Sequence, residues 1–215
     1  MGPWPGYRAA SDAACDTSHP IPLDASRMAD FSALTLSTPR LRLRPPHQED
    51  AHALFAIYAD PVVARYLTAG PWDSIDIARA RIERDLRAMA AGEAICLAIE
   101  RAEDGRLLGD CSLFHLDAQS RRAEVGYALA AAAWGQGVVQ EAVGALLRHA
   151  FEVMELHRVE ADIDPRNAAS ARSLERLGFV REGLLRERWI VDGEISDTAF
   201  YGLLRREWAE AHRAS

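Results

Sequence analysis

The chain has only three cysteines, Cys15, Cys96 and Cys111, and no two of them form a C-x-x-C pair. So sparse and odd a set excludes a disulfide framework, and Cys96 and Cys111 read as small apolar residues inside strands. The seven histidines are scattered, with neither an i, i+4 pair nor an H-x-H grouping, so no metal is expected. Long hydrophobic runs are also missing. No apolar stretch approaches the roughly 20 residues that span a bilayer, and the first thirty residues lack both a basic n-region and an apolar h-region. The expectation is a soluble, cytoplasmic protein without membrane association. A basic excess is absent too: 25 Lys and Arg against 32 Asp and Glu leave a formal net charge of −7. That disfavours a general nucleic-acid binder, because phosphate neutralisation needs a basic surface, and it suits a cationic substrate.

What is present is enough for one core. A chain of 215 residues with 49% hydrophobic content reads as one domain over residues 36–208, preceded by a tail over residues 1–33. In the tail, Pro3, Pro5, Gly6, Pro20 and Pro22 mix with Ser, Asp and Ala without periodicity, so a poorly ordered extension is expected there. Leu41 to Pro45 alternates as a half-buried strand, which places Arg40, Arg42 and Arg44 on its solvent face. Helices are expected over His47 to Ala59 and Ser74 to Ala91. The second has Ile77, Ile82 and Leu86 on one side, a cap at Asp73 or Ser74, and Gly92 at its end. Ala94 to Ile99, Leu107 to Leu116 and Ala123 to Leu129 then read as three strands in antiparallel hairpins.

A helix over about Gly137 to Met154 follows, and then a strand over 158–163 that returns parallel through a right-handed crossover. Asn167 to Leu177 is a last helix with Gly178 at its C′ position, and a hairpin turns at Asp192-Gly193. These elements make an α+β fold, with a mixed, mostly antiparallel sheet and helices on both faces.

The most informative segment is Trp134-Gly135-Gln136-Gly137-Val138-Val139-Gln140-Glu141, between a strand and a long amphipathic helix. Glycines there let the chain turn tightly, while the first N–H groups of the helix lack internal partners and carry the positive end of its dipole. A phosphate could sit on them. Gln140 stands where a dinucleotide fingerprint needs a third small residue, so a dinucleotide is disfavoured. A glycine-punctuated helix start with no ligand is the competing reading.

Downstream, Asn167-Ala168-Ala169-Ser170 precedes Leu177-Gly178-Phe179, and upstream stands Thr38-Pro39-Arg40-Leu41-Arg42-Leu43-Arg44-Pro45. With the Gly135 turn, these pieces in this order resemble the GNAT superfamily of N-acetyltransferases, over about residues 36–206. Within it they look most like the ribosomal-protein alanine N-acetyltransferases of the RimJ/RimL type. The resemblance implies the GNAT fold, in which two parallel strands splay apart to admit acyl-CoA. Acetyl-CoA is then the cosubstrate. The backbone of Tyr127, Ala128 and Leu129 would hold the pantetheine arm, and the amides of Gly135, Gln136, Gly137, Val138 and Val139 the pyrophosphate. Asn167 is assigned to the pantetheine or CoA backbone, against a purely capping role. Two positions depart from the family pattern: Ala132 replaces a Gln or Arg of the phosphate loop, and Leu174 replaces the tyrosine that often protonates the leaving thiolate. Ser170, one turn before Leu174, takes over that acid role in the RimJ/RimL comparison, against a serine that merely bonds its own backbone.

The acceptor sets how much a base must do. An α-amine of pKa near 7.8 is about one-seventh neutral at pH 7, whereas a lysine near 10.4 is about 0.04% neutral, a difference of roughly 3.5 kcal/mol. Glu124 is the first base candidate and Glu187 the second, either one acting through a water. Cys111 as an acyl-carrying nucleophile is disfavoured, because no histidine is locally paired with it. Pro71 to Ile77 and the turn near Gly193 are expected to border the acceptor. The favoured acceptor is a protein N-terminal amine. A small-molecule amine (aminoglycoside, polyamine or amino acid) and a non-catalytic acyl-CoA-binding module stay open, as does a homodimer.

Overall fold

The computed structural model describes residues 30–213. Residues 1–29, which hold Cys15 and most of the expected extension, lie outside the described residues. Residues 30–33, the described end of the expected extension, join the fold: Phe31 is buried, and its N–H donates to the Met89 carbonyl at 3.0 Å.

The elements run β1 (Leu36–Ser37), β2 (Leu41–Arg44), α1 (Ala51–Tyr58), α2 (Pro61–Ala64), α3 (Ile75–Ala90), β3 (Ile95–Arg101), β4 (Leu107–Asp117), β5 (Arg122–Leu129) and α4 (Val138–Arg148). They continue as β6 (Arg158–Ile163), α5 (Ala168–Arg176), β7 (Val180–Val191), β8 (Glu194–Leu204) and α6 (Arg205–His212). The eight strands form one sheet in the order β1-β2-β3-β4-β5-β6-β8-β7. Every neighbouring pair is antiparallel except β5 with β6.

Side-chain alternation decides which helices cover which face. On β3, Ile95, Leu97 and Ile99 point into the cluster that takes in Val143, Leu146, Leu147 and Phe151 from α4 and its continuation. Ala98, between them, packs instead with Leu54 and Ile57 of α1 and Ala78 and Ile82 of α3. Helices therefore lie on both faces. Leu43, Ile99, Leu113, Leu146 and Val159 are all 0% exposed and form the centre of the larger layer.

Local chemistry sets the ends of these elements. Ser74 caps α3, accepting from the Asp76 N–H at 3.2 Å. The buried stripe of α3 is Ala78, Ile82, Asp85 and Met89, while Ile77 is 39% exposed, so the stripe is rotated from the one the apolar residues suggested. Gly178, at φ 93°, ends α5 in a Schellman motif: its N–H donates to Glu175 and the Phe179 N–H to Leu174, both at 3.0 Å. Asp192 and Gly193 both have positive φ, at 50° and 82°, as a two-residue type I′ hairpin requires. Near the end of the helix expected over about Gly137 to Met154, His149–Val153 widen into a π-helical turn in which the Met154 N–H reaches the His149 carbonyl at 3.0 Å.

One arginine was misplaced by the sequence pattern. Arg44 is only 8% exposed; its guanidinium meets both Asp50 oxygens, at 2.7 and 2.9 Å, and Glu100 at 2.6 Å. Arg42, by contrast, is exposed as expected.

Candidate active site

The parallel pairing is short. Arg122, Ala123 and Glu124 of β5 oppose Arg158, Val159 and Glu160 of β6, and there the pairing stops. Beyond it Val125 to Leu129 stay with β4, and Ala161 to Ile163 stay with β8. Two strand edges thus diverge from Glu124 and Glu160, and an extended ligand can add to such an edge through backbone hydrogen bonds. Gly109 on β4 lies against Ala128 and Leu129 so closely that a Cβ there would collide with their backbone. Only glycine lets β4 support β5 at this point.

At the far end of β5 the chain turns into α4. Gly135 and Gly137 have φ of 73° and 76°, in the left-handed region, and no side chain crowds either position. The glycines are therefore there for backbone conformation. The Trp134 indole N–H donates to the Leu129 carbonyl at 3.0 Å, tying the turn to β5. The Gln136 side-chain amide donates to the Ala132 carbonyl at 2.7 Å, so its side chain is turned back onto the loop. A clasp holds the helix start from outside: Glu141 accepts from the Thr38 hydroxyl at 2.6 Å, the Arg40 N–H at 2.9 Å and the Arg40 Nε at 2.6 Å. Arg40 also reaches the Gln136 carbonyl at 3.1 Å. Gly137 is the N-cap and supplies no side-chain acceptor, so the leading amides of α4 keep their donors for a ligand.

Across the splay, Asn167 caps α5 through its Oδ1, which accepts from the Ser170 N–H at 3.0 Å. The capping alternative for Asn167 is thus realised for that oxygen. The Ser170 hydroxyl is 2.8 Å from the Tyr127 hydroxyl. It therefore engages a side chain of β5, and no bond from it to its own helix is seen. Burial pushes the Tyr127 phenol up to about 12, against the opposing effect of the Ser170 bond. Leu174 is fully buried in the core.

Glu124 stands where the two strands part. Its Oε2 is 2.9 Å from the His115 Nδ1, which a β4 irregularity and a φ of 51° bring into place. Asp162, two residues past the Glu160 that pairs with Glu124, lies on the same strand face, close enough for its charge to act on Glu124. Burial pushes the Glu124 carboxyl above its ordinary range, and the Asp162 charge adds to this while His115 opposes it. The second Asp162 oxygen is buried without a hydrogen-bond partner; the Arg188 Nε is its neighbour at 3.7 Å.

Beside this pair opens a cavity of about 300 Å³, walled by Asp162 and Ile163, by residues 64–68 with Gly70 and Pro71, and by the hairpin residues Trp189, Val191, Asp192 and Glu194. Pro71 and the residues flanking Gly193 meet here. Four carboxylates (Asp162, Asp164, Asp192, Glu194) face two guanidiniums (Arg65, Arg166), a formal balance of −2. Arg166 is already spoken for by Asp164, at 2.6 Å, and by Glu194. The cavity therefore favours a cation.

Glu124 does not itself wall this cavity, and neither does Glu187. Glu187 is exposed, with φ 52°, in an irregular stretch of β7 where its N–H donates to Asp197 at 2.9 Å. Sequence reasoning missed Asp162 and the Tyr127 hydroxyl. Asp162 alternates with core residues, as any solvent-facing strand residue does, and only the splay turns that face into a site. Cys111 is wholly buried and its thiol is held protonated, and burial pushes the Cys96 thiol up to about 12, so neither is poised as a nucleophile. Among the described residues there is no group of His, Cys, Asp and Glu suited to a metal, and no helix long and apolar enough to cross a membrane.

Residues 40–180 match the family described as the acetyltransferase (GNAT) domain. An uncharacterized N-acetyltransferase of Bacillus licheniformis, p20, is 35% identical over 175 residues, covering 81% of this chain and 98% of that protein. The [ribosomal protein uS5]-alanine N-acetyltransferase of Escherichia coli (strain K12) is 26% identical over 182 residues, covering 80% and 92%. The solved structure of Mycobacterium smegmatis RimJ in complex with CoA-disulfide has the same fold, with a TM-score of 0.72 at 24% identity over 86% of this chain and 97% of that one. A splayed parallel pair, a glycine turn into α4 and a family match over most of the described chain converge: this chain belongs to the GNAT family of N-acetyltransferases.

Proposed function

We propose that this enzyme transfers an acetyl group from acetyl-CoA to the α-amine of a polypeptide N-terminus. The observation that carries the reading is the acidic cavity of about 300 Å³ that opens at the splay, with Asp162 on its wall and Glu124 next to it. An ammonium is drawn in by the charge, and an α-ammonium needs the smaller push to become a nucleophile.

In this reading the edge of β5 at Tyr127, Ala128 and Leu129 pairs with the pantetheine arm, and the amides from Gly135 to Val139 cradle the pyrophosphate. Asn167 keeps its amide donors for the pantetheine while its oxygen caps α5. The neutral amine attacks the thioester carbonyl; the C–N bond forms, the C–S bond breaks, and strand amides stabilise the oxyanion. Ser170, bonded to the Tyr127 hydroxyl, offers the proton to the departing thiolate. Glu124 serves as base rather than Glu187, because it stands where β5 and β6 part, on the strand face that Asp162 shares, whereas Glu187 is exposed on β7.

The test is thiol release from acetyl-CoA against an amine panel: peptides with free Ala or Ser N-termini, N-terminally blocked peptides with an internal lysine, polyamines and aminoglycosides. Release with the free-N-terminus peptides alone is the expected result. Release with one small amine instead would assign a small-molecule acceptor, and CoA binding without release for any amine would assign a binding module. The chain contains no lysine, so self-acetylation of lysine side chains does not confuse the readout.

A further inference from the structure

We propose that Asp162 is the carboxylate that receives the acceptor's ammonium and passes its proton to Glu124, making the two a single proton-accepting pair. The inference rests on the acetyltransfer reading above and deepens it.

Three observations place Asp162 in this role. It walls the cavity, which Glu124 does not. A base behind that wall needs a group between the amine and itself, and Asp162 stands on the same strand face two residues past Glu160, the pairing partner of Glu124, near enough for its charge to act on that carboxyl. Finally, its second oxygen is buried and accepts no hydrogen bond, so a donor is wanted there. An orphaned buried carboxylate oxygen is costly, and an incoming N–H satisfies it. The charged groups facing the pair are His115 from β4, bonded to Glu124, and Arg188 from β7, 3.7 Å from Asp162. Arg188 Nε stands at the orphaned oxygen itself, as an ion pair at 3.7 Å that is beyond hydrogen-bond distance.

The step balances without a co-reactant. The ammonium gives one proton to the carboxylate pair, whose charge falls from −2 to −1 with the proton held between the facing oxygens. The neutral amine then attacks, and the second proton it sheds on forming the amide is matched by the one that ends on the thiolate. The pair returns its proton to water. With one proton shared between the two carboxyls, loss of Asp162 should change the acid limb of the rate profile.

The test compares wild type with Asp162→Asn and Asp162→Glu, using a tetrapeptide with a free alanine N-terminus and acetyl-CoA. Asp162→Asn is expected to lower kcat/KM for the peptide roughly 100-fold. It should also move the acid limb of that profile to lower pH, because the neighbouring charge that raises the Glu124 pKa is gone. Calorimetric binding of acetyl-CoA should be unchanged, which also reports that the variant is folded. Asp162→Glu should restore the acid limb toward its wild-type position. An Asp162→Asn enzyme with unaltered peptide kcat/KM and an unmoved acid limb would overturn the inference while leaving acetyltransfer intact. Should the wild type acetylate no amine, the acetyltransfer reading fails instead. Calorimetric binding of the tetrapeptide to the CoA-loaded protein then decides Asp162 separately: binding weakened by Asp162→Asn supports it, and equal binding by both proteins overturns it.

Discussion

The two ends of the splay are built from different materials. At the end proposed for the cosubstrate, the turn from Trp134 to Val139 is shaped by two left-handed glycines and offers backbone amides, while side chains such as Gln136 and Trp134 bond back to the loop and to the end of β5. At the end proposed for the acceptor, the cavity is defined by side chains, four of them carboxylates, drawn from β6, a loop and a hairpin tip. A backbone site recognises one constant group and tolerates sequence change. A side-chain site is where a change of residue becomes a change of acceptor. One fold can therefore keep its cosubstrate while its substrates diverge.

The sharpest way to break this comparison is Glu124→Gln, for which kcat should fall roughly 100-fold with acetyl-CoA affinity unchanged in calorimetry. Because burial and the Asp162 charge raise the Glu124 pKa, its carboxylate form is lost at a higher pH than that of an ordinary glutamate. Wild-type activity should thus fall as pH drops through that raised value, and the variant should lose this limb. Parallel loss of acetyl-CoA affinity would show that the two ends are not separable.

Gly137→Val attacks the opposite end. Forcing a β-branched residue to φ 76° costs about 1–2 kcal/mol, so acetyl-CoA affinity should weaken about tenfold while peptide KM stays level. Glu141→Ala removes the clasp on the helix start. Since Arg40 is half exposed, a loss of only about fivefold in acetyl-CoA affinity is expected. Smallest of all is Gln136→Ala, which should change acetyl-CoA affinity by no more than about twofold, because the amide proposed to serve there belongs to the backbone.

The same division governs what could be read from the sequence. Periodicity and turn chemistry located α3, α4, α5 and the Asp192-Gly193 hairpin, because each has an apolar stripe or a glycine whose φ the turn demands. The two-residue strand β1 and the single turn α2 were missed for lack of length. Helix α6 buries only Trp208, so it has no stripe to detect. At the turn into α4, Gly135 and Gly137 announced themselves. Glu124 and Asp162 are 38 positions apart, and only the pairing of β5 with β6 brings them onto one face. Arg44 fell into the same blind spot: alternation put it on the solvent face, and the carboxylates of Asp50 and Glu100 cover it there.

The most direct measurement is to incubate the enzyme with acetyl-CoA at pH 7 and one peptide that carries both a free alanine N-terminus and an internal lysine, then locate the acetyl group by fragment mass spectrometry. A single acetyl group on the α-amine is the predicted result. Acetylation of the lysine ε-amine, or none while polyamines are acetylated, would contradict the assignment of a protein N-terminus as acceptor.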